Sequence, residues 1–165
     1  TLGVPDSLLG PEFAADAAAR GVYAALTRTL TEHLPAAPYV VAEPGDVIVK
    51  PITVKNTGTI GLTYNLGVTT AATAGSANGA NLADTLKLTV LTDATTCANN
   101  VATGGTALIN NATLSSAGGF SAAQTLAAST GTQTLCFVVT LPTSAPNSAM
   151  STGTNATFTF TGSPA

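Results

Sequence analysis

Apolar and polar residues alternate with a period of two over several short stretches of this chain. The longest unbroken case begins at Ile60. Ile60, Leu62, Tyr64, Leu66 and Val68 share one parity, and Gly61, Thr63, Asn65, Gly67 and Thr69 the other. Successive side chains of a strand point to opposite faces, so this run predicts a strand with one face buried. Upstream, Ile48, Ile52 and Val54 share a parity around Lys50, after the turn signal Pro44-Gly45-Asp46. Between the two runs stand Asn56-Thr57-Gly58, residue types that tolerate positive φ and let a chain reverse. The expectation is a β-hairpin over residues 43–66 that forms the spine of a sandwich, with later strands packed against it.

The rest of the chain continues the pattern. Residues 39–42 and 47–54 read as the first strands of the body, with Pro51 tolerated at an edge or bulge. Residues 82–92 place Leu86, Leu88 and Val90 on one face. Residues 106–110, 113–115 and 120–126 are weaker strands. Residues 132–141 turn Leu135, Phe137, Val139 and Leu141 inward, and residues 154–161 do the same with Ala156, Phe158 and Phe160. Gly-, Ala- and Asn-rich stretches at 71–81, 93–105 and 142–153 read as loops. Roughly seven to nine short strands separated by turn signals, without a βαβ pattern, predict an all-β antiparallel sandwich.

Residues 1–38 differ from this body, which spans 39–165. Residues 1–11 are rich in Pro and Gly and should be extended or irregular. In residues 12–34 the alanines favour helix, and Tyr23, Leu26, Leu30 and Leu34 have helical spacing, yet Val22, Ala24 and Leu26 also alternate. Helix and strand both remain open there. Pro35 and Pro38 end the segment either way. An apolar extension followed by a Pro-rich joint and a sandwich is also the arrangement of a donor strand. Leu2, Val4, Leu8, Leu9, Val22, Ala24 and Leu26 are the candidates to enter a neighbouring subunit. The other reading packs residues 14–34 as one amphipathic helix on their own sandwich.

The run of PGD, apolar residues, Lys, an apolar-x-apolar step and Asn-x-Gly over residues 43–68 resembles the TasA/camelysin family of secreted fibre proteins, including archaeal bundling-pilus subunits. The likeness is weaker over 134–141 and 155–161 and poor before Tyr39. It implies a jelly-roll-like β-sandwich, an N-terminal extension acting as donor strand, and polymerisation by donor-strand complementation with other copies of the chain. A self-contained sandwich module of a cell-surface adhesin or surface layer is the alternative. Some camelysin relatives carry a metallopeptidase label, but no zinc-ligand constellation supports it here.

Composition sharpens this reading. Charged residues make up 8% of the chain, and residues 94–165 carry none. Such a surface lacks the repulsion that keeps copies apart, which suits a surface covered by neighbouring subunits, by neighbouring filaments or by glycans. A net charge of −3 with five basic residues excludes a nucleic-acid partner. There is no apolar run of about 18 residues, so no membrane span is expected. The chain opens at Thr1 without a basic n-region or apolar h-region, as a processed N-terminus would. Cys97 and Cys136 are expected to form one disulfide of an extracellular protein. By parity, Cys136 should tie the loop carrying Cys97 onto the outer side of its sheet. His33 is the single histidine, and no HExxH, GxSxG or P-loop motif occurs, so neither catalysis nor a cofactor nor a metal is expected. The sequons at Asn111 and Asn155 are candidate glycosylation sites.

Overall fold

The computed structural model describes residues 25–28, 40–41, 43–73, 76–120 and 122–165. Its eleven strands are β1 (Ala25–Arg28), β2 (Val40–Val41), β3 (Val47–Lys55), β4 (Leu62–Ala72), β5 (Lys87–Thr92), β6 (Thr96–Ala98), β7 (Val101–Thr103), β8 (Thr106–Thr113), β9 (Gln124–Leu126), β10 (Thr132–Thr140) and β11 (Thr154–Pro164). They form an all-β, sandwich-like fold. One sheet has the order β2-β1-β11-β4-β9, the other β3-β10-β5-β8, and β6-β7 is a separate two-stranded ribbon. All pairings are antiparallel except β1 with β11.

The inner faces are those the alternation predicted, except that Ile60 precedes β4 and is 63% exposed. Leu66 and Tyr64 from β4 meet Leu88 and Val90 from β5 and Leu135 and Phe137 from β10 in one buried cluster. Aromatic rings close the space between the sheets. Phe137 stands edge-on to Phe158, with ring centroids 5.0 Å apart, and Tyr64 lies 6.1 Å from both Phe120 and Phe160. Offset and edge-on contacts of this kind suit the ring quadrupole and add to the area buried.

The expected hairpin does not form. β3 belongs to the four-stranded sheet and β4 to the five-stranded one, so residues 56–61 cross between the sheets. The reversal also uses no positive φ at Asn56, Thr57 or Gly58. The Asn56 side chain makes the crossing instead. Its Nδ2 donates to the carbonyls of Ile60 (2.8 Å), Ala127 (3.0 Å) and, more weakly, Leu126 (3.4 Å), and its Oδ1 accepts from the Gly58 N–H (2.9 Å). A short amide that copies backbone hydrogen bonding can shape a turn without left-handed residues. The strands pair with later segments: β3 with β10, and β4 with β11. The Pro44-Gly45-Asp46 turn is as expected. Gly45 takes φ of 101°, and the Asp46 carboxylate accepts from the Glu43 N–H.

Other boundaries shift. Residues 82–84 form a 3-10 turn with Asn81 accepting from the Ala83 N–H, so β5 starts at Lys87. The two short strands expected over 106–115 are one strand, β8, irregular in its pairing with β5, followed by a 3-10 turn at Leu114–Ser116. The expected loop at 93–105 carries the β6–β7 hairpin, turned through Asn99 and Asn100, both at positive φ.

That hairpin explains why β10 is buried on both faces. Cys97 in β6 is bonded to Cys136 in β10, with an S–S distance of 2.09 Å. The hairpin lies against β3, and beneath it Val49 and Cys136 are 3% and 1% exposed although they point away from the core. The disulfide thus holds a small ribbon on the outer face, as the parity of Cys136 suggested.

Candidate functional site

Of the donor candidates, Leu2, Val4, Leu8, Leu9, Val22 and Ala24 lie outside the described residues, as does His33. Leu26 lies in β1, which is a strand; the choice between helix and strand falls to strand over Ala25–Arg28. β1 runs parallel to β11 of the same chain, with Leu26 opposite Thr154, Thr27 opposite Asn155 and Arg28 opposite Ala156. β2 then pairs with β1. The N-terminal segment therefore enters the five-stranded sheet along the β11 edge.

Strand edges without a neighbour expose main-chain groups that could template another chain, and β3, β8, β9 and part of β11 have such edges among the described residues. β3 carries Lys50, Pro51 and Lys55, a proline and two cations that disfavour pairing. β8 is interrupted by register shifts around Val90 and by Asn111 at φ of 47°. β9 is three residues long. β11 differs from these. Beyond its pairing with β1, residues 157–164 have no strand on that side among the described residues. That stretch carries no charge, and it is paired along its whole length to β4 on the other side, which keeps it extended. Phe158 and Phe160 point inward from it yet remain partly exposed, as do Ile52 and Val54 on β3 of the other sheet. An extended edge above half-covered apolar side chains can take a further strand: main-chain hydrogen bonds supply affinity, and alternate side chains fill the gap.

The outward face of the β4–β11 pair is uncharged. Asn65, Gly67, Thr69 and Ala71 of β4 lie opposite Thr161, Thr159, Thr157 and Asn155 of β11. Asn155 sits within the sheet with its Oδ1 buried and without a partner among the described residues. Its sequon is therefore built into a strand paired on both sides. Asn111 is exposed at the irregular point of β8. Among the described residues, no three His, Cys, Asp or Glu side chains come together as a metal site. No described helix is long and apolar enough to cross a membrane.

A second polar group went unnoticed in the sequence. At one end of the sandwich, between the sheets, Tyr64 of β4 donates to the Gln133 side chain of β10, which in turn donates to Thr92 of β5. Its signal was a polar residue on the inward parity of a strand, twice, at Thr92 and Gln133.

Together these features define a disulfide-tied β-sandwich in which, among the described residues, 157–164 of β11 are unpaired on one side, next to the three positions that β1 covers. Comparison of the chain with protein-family models, with curated proteins and with solved structures gave no match.

Proposed function

We propose that the chain is a structural subunit of an extracellular filament or pilus, serving a biofilm matrix or cell adhesion. Copies join head-to-tail by donor-strand complementation, the N-terminal segment of one entering the β11 edge of the next. The observation that carries this is the uncharged stretch 157–164, unpaired on one side among the described residues, above the partly exposed Phe158 and Phe160. A contact made by different surfaces on the two partners does not close, so it propagates as a fibre. The resemblance of residues 43–68 to secreted fibre proteins points the same way. So does the absence of charge after Asp93, which leaves the surface free to be covered by other copies or by neighbouring filaments. The disulfide fits an oxidising compartment.

A second reading has its own observation. β1 pairs with β11 of its own chain, as in a self-contained module of an adhesin or surface layer. Electron microscopy and size-exclusion chromatography separate the two. The full chain should form filaments. A chain starting at Tyr39, checked for its β signature by circular dichroism, should not, and should bind a peptide of residues 1–38. Filaments of unchanged form from the shorter chain would overturn the proposal. Folded monomers in both cases would favour the module.

A further inference from the structure

Three groups converge on one carboxamide at the end of the sandwich, and a fourth backs one of them. Gln133 Nε2 lies 2.7 Å from Thr92 Oγ1 and donates to it, and contacts Gln124 Oε1 at 3.4 Å. Gln133 Oε1 accepts from the Tyr64 hydroxyl at 2.6 Å. Thr92 Oγ1 in turn donates to Asp93 Oδ2 at 3.1 Å. The parts match those of acyl transfer: a hydroxyl nucleophile with a carboxylate to take its proton, against a carbonyl whose oxygen is already held by a donor. Thr92 is 6% exposed and Tyr64 2%, so the nucleophile and the donor to the carbonyl are shielded from water, while Gln133 is partly exposed and Asp93 lies at the surface.

We infer that Thr92 and Gln133 form an intramolecular ester, a covalent cross-link between β5 and β10. Thr92 Oγ1 attacks Gln133 Cδ as its proton passes to the Asp93 carboxylate. Tyr64 stabilises the negative charge that develops on Oε1. The Cδ–Nε2 bond then breaks, and the nitrogen leaves as ammonia with the proton that Asp93 returns. One hydroxyl and one carboxamide become one ester and one ammonia, and no oxidant, metal or co-reactant is needed. An amide is a poor electrophile, so the reaction relies on placement. Thr92 pairs with Leu135, two residues from Gln133 on the adjacent strand, so the fold holds the two side chains side by side on one face. Burial holds the Tyr64 phenol above its ordinary pKa of 10.0, keeping it a donor in neutral solution. The contacts also satisfy two buried polar side chains without any reaction, and mass separates the two cases.

The test is the intact mass of the folded full chain. The loss of ammonia should lower it by about 17 Da beyond the change from the disulfide, and tandem spectra should find the Thr92 and Gln133 peptides joined. A succinimide at Asn78-Gly79 would give the same mass, so Thr92→Val is the control. Thr92→Val should restore the full mass, and Thr92→Ser, which keeps the nucleophile, should still lose ammonia. Asp93→Asn and Tyr64→Phe should each slow the loss by about a hundredfold in freshly purified protein. The inference is overturned if folded wild-type protein keeps its full mass after days at 37 °C (a temperature of about the physiological range), or if the loss persists in Thr92→Val.

Discussion

Replacing Asn56 by alanine tests the crossing between the sheets. Asn56 is 6% exposed, and its amide makes three well-formed hydrogen bonds, to Ile60, Ala127 and Gly58, with a weaker one to Leu126. At about 1 kcal/mol net for each well-formed bond, Asn56→Ala should cost about 3 kcal/mol. The carbonyl of Leu126 would lose a donor where little water reaches it, which argues against a smaller figure. Asn56→Asp should be worse, because it sets carboxylate oxygens against those carbonyls and desolvates a charge. That deficit should shrink on acidification, since a protonated carboxyl donates once. Urea unfolding followed by circular dichroism gives the numbers. With a slope of about 1.5 kcal/mol per molar, the midpoint of Asn56→Ala should fall by about 2 M. A loss below about 1 kcal/mol, or an aspartate tolerated better than the alanine, would refute the view that this side chain holds the sheets in register.

Three further outcomes follow from named contacts. The Cys97–Cys136 bridge closes 39 positions of sequence, so the double serine variant should lose about 4 kcal/mol and be cut by protease within residues 93–105; protection equal to wild type would mean the ribbon holds by packing alone. A Cβ on Gly119 would run into the Leu66 carbonyl oxygen where Gly119 bridges Gly67, so Gly119→Ala should cost at least about 2 kcal/mol in thermal unfolding; a loss under about 0.5 kcal/mol would mean that segment moves aside freely. Burial raises the Tyr64 pKa, so its contribution is complete below pH 10.0 and fades as pH rises through the higher folded value; Tyr64→Phe should remove that part of the alkaline loss, and identical alkaline profiles would contradict it.

The parity of each strand was legible because burial leaves a period-two imprint. Leu86, Leu88 and Val90, Leu135 and Phe137, and Phe158 and Phe160 all face inward as the alternation requires. The sheet to which each strand belongs was not legible. A turn of Asn-Thr-Gly between two apolar runs reads the same whether it joins partners in one sheet or crosses to the other; here the distant strands β10 and β11 decide it. The β6–β7 ribbon was missed because Thr, Ala and Asn carry little apolar pattern, and it stands on the disulfide rather than on a core of its own. The free stretch of β11 could not be foreseen, because an edge is a property of sheet order. Once strands are aligned, Thr92 and Gln133 stand out as polar residues on apolar faces.

The cis pairing of β1 and the proposed assembly are compatible, and their energetics make the choice measurable. β1 meets β11 at three register positions among the described residues, whereas β11 itself is 11 residues long. Exchanging β1 for the same segment of another copy conserves those hydrogen bonds, so it gains nothing by itself. The tether within one chain supplies an effective concentration of about millimolar, which favours the cis form. Assembly between copies therefore has to bury something the cis form leaves open. Residues 157–164 offer this, since a longer donor there would pair the free edge and cover Phe158 and Phe160, at about 25 cal/mol for each Å² of apolar surface removed from water. Hydrogen exchange reads this directly. Amides of residues 157–164 that face the free edge should exchange rapidly in the monomer and slow by at least about a hundredfold in filaments, while those bonded to β4 change little. Equal rates on that edge in both forms would mean that whatever joins the copies does not lie on β11.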